Sequence, residues 1–162
     1  MAKYHLRRVE KELSDRETIL EILKKEKFAI ISMCKENEPY LVSLSYGYDE
    51  AKQALYFHCA KEGQKIDFIK ANPQVCGIVI EDNGYQEGCG QAFRSVVFRG
   101  TMEIVKDLEE KKYGFEILLK QLEKDPQLIK NKFLKKDETY DNSGMLRLDI
   151  STITGKEEKA DS

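Results

Sequence analysis

The chain has 162 residues, 41% hydrophobic and 35% charged, with 27 Lys+Arg against 29 Asp+Glu and a formal charge of -2. That length suits one self-supporting domain, and the balance excludes a long disordered tract and a basic nucleic-acid binder. The longest apolar runs, Phe28 to Ile31 among them, fall far short of the roughly 20 residues that span a bilayer, so no membrane partner is expected.

Met1 to Arg8 carries charge with no apolar stretch behind it, unlike a secretory leader, and a cytoplasmic address is the expectation. Cys34, Cys59, Cys76 and Cys89 then read as reduced thiols. They form no C-x-x-C pair and have only His5 and His58 to help them, so a zinc site is not expected. Cys34, Cys59 and Cys76 are expected to pack in the core.

The first predicted element is a helix over 15–26. Ser14-Asp15-Arg16-Glu17 reads as a capping box, and Ile19, Ile22 and Leu23 share one face. Three β-rich runs follow at 28–33, 40–48 and 54–59, joined by polar turns at 35–38 and 49–52, as in an antiparallel meander. In the second run Tyr40, Val42, Leu44, Tyr46 and Tyr48 take one face, leaving Leu41, Ser43, Ser45 and Gly47 on the other. The small, polar face is either solvent-exposed or leaves room for a ligand against the strand.

A helix is predicted from Glu62 to Asn72, ended by Asn72-Pro73, then a strand at 75–80 and a glycine-punctuated loop over 82–92. The next strand alternates Val96, Phe98, Met102 and Ile104 against Val97, Arg99, Thr101 and Glu103, with Gly100 marking a bulge or bend. Asp107-x-x-Glu110 opens another helix carrying Leu108, Phe115, Leu119 and Leu122, and a further helical segment is predicted over 126–136. A last strand holds Leu146, Leu148 and Ile150 against Arg147 and Asp149, and 157–162 reads as a frayed charged tail. Six alternating strands close most economically into a small barrel, an open sheet with helices on one face being the alternative.

Chemistry concentrates between Tyr56 and Asp67. A strand ends at His58, Gly63 turns the chain, and a helix begins with Lys65 in its first turn, where unpaired N–H groups and an ammonium can meet an anion. Arg94 and Ser95, at a strand start after the glycine-rich loop, could add a guanidinium and a hydroxyl. On spacing alone a strand-end histidine such as His58 is more often structural than functional, and Lys65 also reads as a lysine that only solvates a face.

The ordered set Tyr40-Leu41-Val42-Ser43-Leu44-Ser45-Tyr46, Tyr56-Phe57-His58-x-Ala60-x-Glu62-Gly63-x-Lys65, Asn72-Pro73-x-Val75, Phe93-Arg94-Ser95-Val96-Val97-x-x-Gly100 and Ile153-Thr154-Gly155-Lys156 resembles the FMN-binding split-barrel superfamily related to pyridoxamine 5'-phosphate oxidase, in its nitroimidazole-resistance-like branch. The resemblance implies a mainly β fold with flanking helices (α+β), a six-stranded antiparallel split β-barrel over 1–156, and a homodimer with FMN in clefts between subunits. It implies phosphate contacts from Lys65, Arg94 and Ser95, and a border to the isoalloxazine and ribityl chain from Leu41, Val42, Ser43, Leu44, Ser45 and Tyr46. His58 would lie by the flavin as the residue tied to activity.

Phe93 departs from the commoner tyrosine by a hydroxyl. The chain also has no Trp and ends Glu157-Glu158-Lys159-Ala160-Asp161-Ser162, so vitamin B6 oxidation is not expected. The implied activity is flavin-dependent reduction of a small electrophilic acceptor such as a nitroaromatic. The alternatives are a non-catalytic flavin-binding module, or a relative that takes haem or deazaflavin in the same cleft.

Overall fold

The computed structural model describes residues 7–88 and 90–159. His5 and Cys89 lie outside them. Among the described residues the chain forms β1 (Glu12–Leu13), α1 (Arg16–Lys25), β2 (Phe28–Lys35), β3 (Glu38–Ser45), β4 (Gly47–Asp49), β5 (Ala54–Cys59), α2 (Gln64–Ala71), β6 (Gln74–Gln86), β7 (Gly90–Ile104), α3 (Leu108–Leu122), α4 (Pro126–Phe133), α5 (Asp137–Asn142) and β8 (Gly144–Glu158). The architecture is mainly β with helices, as expected, in one antiparallel sheet ordered β3-β2-β6-β7-β8-β5-β4, with β1 added to β8.

The two ends of that order, β3 and β4, are consecutive in sequence. They are the halves of the single run predicted at 40–48, broken at Tyr46, and with β1 they raise the strand count from the predicted six to eight. The barrel is therefore split: its hydrogen-bonded ladder does not close, and its two edges are joined through the chain at Tyr46. Burial fixes that corner. Tyr46 is fully buried, its hydroxyl donates to the Leu23 carbonyl at 2.8 Å, and its N–H donates to Lys27 at 3.1 Å. Gly47 is buried where a side chain was expected to face outward, because any Cβ there would lie 2.7 Å from the α3 backbone at Ile117.

Alternating residues line the interior, among them Ile31, Leu55, Phe57, Val79, Val96, Phe98, Met102, Leu146 and Leu148. Helix α1 plugs one end with Ile19, Ile22 and Leu23. Helix α2 plugs the core with Ile66, Phe68 and Ile69, and Phe68 meets Tyr40 at 5.1 Å. Helix α3 lies outside, over β4 and β5, and builds a second cluster from Tyr56, Phe115, Leu118, Tyr140 and Met145. Gln121 ties α3 to the barrel: its amide donates to Leu23 and Glu26 and accepts from the Tyr48 N–H at 2.8 Å.

Several expectations change in detail. The cap of α1 is Asp15, which accepts from the Thr18 N–H at 2.9 Å, rather than a Ser14–Glu17 box. The loop predicted over 82–92 is the extended end of a hairpin, with Tyr85 paired to Gln91 beyond an irregularity at 82/85. The frayed tail shrinks too, since Glu157 and Glu158 complete β8 opposite Arg94 and Phe93. The predicted helix over 126–136 is α4, which ends at Phe133, and α5 at Asp137–Asn142 follows it unpredicted. Gly100 does mark a shift of register against β8.

Candidate functional site

The split gives β3 an unusual edge. The Tyr46-to-Lys27 bond fixes the phase of the β2–β3 ladder, whose register runs unbroken from Phe28↔Ser45 to Lys35↔Glu38. In an antiparallel pair hydrogen-bonded and non-bonded positions alternate, so Val42 and Leu44 bond to β2 while Leu41, Ser43 and Ser45 turn their N–H and C=O groups away from it. Pro39, with no N–H to offer, sits in the same outward phase, as edge strands tolerate. The Ser43 and Ser45 side chains are exposed, while Val42 and Leu44 pack on the core. Across the split lies β5.

His58 ends the outer face of β5, exposed but stacked on Phe115 at 5.1 Å between ring centres. The desolvation that this packing brings lowers its pKa below the ordinary histidine value. Cys59 faces the core; burial raises its thiol pKa, against a smaller opposing effect of the Lys65 charge. Such a thiol is unreactive.

Four residues on, Gly63 precedes α2 at φ 119°, in the region that favours glycine. Helices α1, α3 and α4 each have an aspartate accepting an N-terminal N–H, whereas α2 has no side-chain cap. The Gly63 carbonyl takes the N–H groups of Ile66 and Asp67, which leaves those of Gln64 and Lys65 outward. Lys65 stands in this turn, half-buried.

Arg94 and Ser95, expected to act together on one phosphate, leave β7 on opposite faces. Arg94 points inward, opposite Glu81 on β6, and holds its carboxylate with two bonds, Nε–Oε1 2.7 Å and Nη2–Oε2 2.8 Å. Lys25 adds a bond at 2.9 Å, and the Arg94 hydrogen bonds lead the effects that hold the Glu81 pKa down at about 2. The guanidinium is thus engaged within the protein, where it was expected to join Ser95 and Lys65 on a phosphate. Sequence alternation could have found its partner: Glu81 and Arg94 each lie two residues from an inward valine, Val79 and Val96.

Ser95 faces outward, nearly buried among its neighbours. The outer face of β3, β2, β6, β7 and β8 carries cross-strand rows, Ser43–Ile30–Ile78–Val97–Thr154 and, beside it, Ser95–Lys156. It leaves large apolar groups in water, Phe28 at 55%, Leu41 at 63% and Ile80 at 43% exposure. Among the described residues no cluster of His, Cys, Asp or Glu could hold a metal, and no helix is long and apolar enough to cross a membrane. Cys34, Cys59 and Cys76 are free and half-buried.

Comparison with solved structures gives matches across nearly the whole chain. A 5-nitroimidazole antibiotic resistance protein from Bacteroides thetaiotaomicron, so described provisionally, has TM-score 0.75 and 23% identity over 96% of this chain and 95% of that one. A FAD-binding protein from Mesorhizobium loti has TM-score 0.65 and 23% identity over 90% of this chain and 96% of its own. A FAD and heme binding protein from Mycobacterium smegmatis has TM-score 0.73 and 15% identity over 94% and 76%. At these identities the likeness shows the shared fold. No match is found among curated proteins. The family model for pyridoxamine 5'-phosphate oxidase matches residues 15–157, and the chain belongs to that family.

Proposed function

We propose that the protein is a flavoprotein that binds FMN along the β3 edge and reduces a small electrophilic acceptor such as a nitroaromatic. The observation that carries the reading is the unsatisfied edge itself. Leu41, Ser43 and Ser45 offer alternating main-chain donors and acceptors beside two exposed hydroxyls, which suits the polar rim of a planar heterocycle. The uncapped start of α2 with Lys65 supplies N–H groups and a charge for a phosphate. Bound flavin would supply the redox chemistry. The protein's part is to hold the ring at Leu41–Tyr46 and the phosphate at Lys65, with His58 near the ring as proton donor or orienting group. Ser95 pairs with Lys156, far along β8 from the Gly144 end beside Ile66, so it reaches that phosphate only from a second copy. Arg94 then acts indirectly, by fixing the β6–β7 mouth through Glu81.

The exposed apolar rows on β2, β3 and β6 favour a homodimer in which a second copy covers this face and completes the cleft. The FAD-binding neighbours make FAD the second cofactor to try. Titration of the flavin-free protein with FMN and with FAD, followed by fluorescence quenching, tests the reading. Lys65→Ala is expected to weaken binding about tenfold or more, as loss of a charge-assisted phosphate contact does. Full affinity in that variant, or no binding of either flavin, overturns it. Anaerobic turnover with NAD(P)H and a nitroaromatic separates a reductase from a module that only binds.

A further inference from the structure

The most unusual charge in the molecule takes no part in the flavin reading. Lys111, on α3, is 5% exposed, yet among the described residues its ammonium makes a single hydrogen bond, to the Asp141 carbonyl at 2.8 Å. The Asp141 carboxylate is 3.8 Å away, too far for a hydrogen bond, and is itself 68% exposed. An ammonium has three donors, and a buried charge is costly unless it is paired and hydrogen-bonded.

Lys111 lines a cleft of about 320 Å³ between α2, the end of β7 and the α5–β8 junction. Lys61, Lys70 and Lys106 stand around it, and Asp141 is the one acidic residue in its lining. No ion pair engages those three lysines among the described residues. The apolar part of the lining is the half-buried Ile104 with the edges of the buried Ile66 and Leu146. Beyond Lys70 and Lys106 the surface continues into a second groove bearing Glu103, Asp107 and Glu110, which sets an acidic boundary on that side.

We propose that this cleft is a binding site for a small organic anion, a carboxylate or phosphate whose charged end takes the unused Lys111 donors and whose apolar body lies on Ile66, Ile104 and Leu146. A buried ammonium supplies a fixed, desolvated donor, the rim lysines draw the ligand in, and the aliphatic wall selects against inorganic anions. Lys65 is not part of this lining, although Cys59, Lys61 and Ile66 of the same turn are, so the cleft adjoins the proposed phosphate anchor and Lys65→Ala tells the two apart.

Calorimetric titration of the purified protein with hexanoate and with inorganic phosphate, against chloride at matched ionic strength, provides the test. Saturable hexanoate binding that falls about tenfold or more in Lys111→Met and in the rim variant Lys106→Glu supports the site, whereas saturable binding of inorganic phosphate in place of hexanoate overturns the organic-anion assignment. Lys106 is exposed, so its variant keeps the test open if Lys111→Met fails to fold. No saturable binding of either anion overturns the proposal. So does binding that survives both substitutions, or binding removed by Lys65→Ala instead. Flavin titration of the same variants is expected to be unchanged, so failure of the flavin reading and failure of this one give different results.

Discussion

Glu81 offers the sharpest test of the internal electrostatics, because its partners give it a large and directional effect on stability. Its carboxyl is held at about 2 against an ordinary 4.5. At about 1.4 kcal/mol per unit that is roughly 3 kcal/mol as an upper bound. Lys25 is 59% exposed and Arg94 23%, so solvent screening brings the working figure to about 2 kcal/mol. The folded pKa is depressed, so this stability is present above pH 4.5 and is lost as pH falls toward 2. Urea melts at a series of pH values are expected to show the wild type losing about 2 kcal/mol more across that window than Glu81→Gln, which has no carboxyl to titrate. At pH 7 Arg94→Met strands the carboxylate without its main partner and is expected to lower Tm by about 4–8 °C. Parallel pH profiles for wild type and Glu81→Gln would refute the reasoning. So would an Arg94→Met protein of normal Tm that had lost flavin affinity, which would make Arg94 a direct anchor.

Three further outcomes follow from the geometry. Tyr46→Phe removes a fully buried hydroxyl, but the Leu23 carbonyl that accepts from it also accepts from Gln121 at 3.0 Å, so no buried acceptor is orphaned. The cost in a denaturant melt is expected near 1 kcal/mol, and a loss above about 3 would contradict that accounting. Gly100→Ala would set a methyl 2.0 Å from the Asp149 carbonyl oxygen, a main-chain atom held in the β7–β8 ladder. Destabilisation by about 3 kcal/mol or failure to fold is expected, and a soluble variant of normal Tm would show that the bulge relaxes freely. The His58 ring, followed by NMR, is expected to titrate below the ordinary 6.5 because burial disfavours its charged form. Its contribution to stability is present above 6.5 and fades as pH drops; a measured pKa at or above 6.5 would rule out the burial effect.

The fold was largely legible because period-2 alternation survives wherever a strand has one face on the barrel core. Val96, Phe98 and Met102 against Val97, Arg99 and Thr101 gave β7 its faces, and Gly100 marked where β8 bulges opposite it at Ser151. What stayed hidden is non-local. Nothing in Tyr40 to Tyr48 announces that the strand changes partner at Tyr46, since that break depends on Leu23 and Gln121, far away in the chain. The hairpin over 82–92 was misread because glycines at 84 and 88 mark a turn equally well in a loop or in an extended ribbon. The Gly63–Lys65 turn was readable as a candidate anion site from its local chemistry alone. The Arg94–Glu81 pairing and the cleft at Lys111 were not, because each is assembled from segments whose register only the folded sheet fixes.

The covalent seam at Tyr46 also sets how the slot between β3 and β5 can move. In a fully laddered barrel, widening any gap breaks a row of main-chain hydrogen bonds. Here the gap between β3 and β5 has no such row to break, while the β2–β6 ladder holds the β2–β3 hairpin to the rest of the sheet. The slot's width is therefore set by the side chains that face it and by the turn of the chain at Tyr46, with no main-chain hydrogen bonds across it. A scaffold of this kind can admit planar groups of different bulk without redesign of its walls.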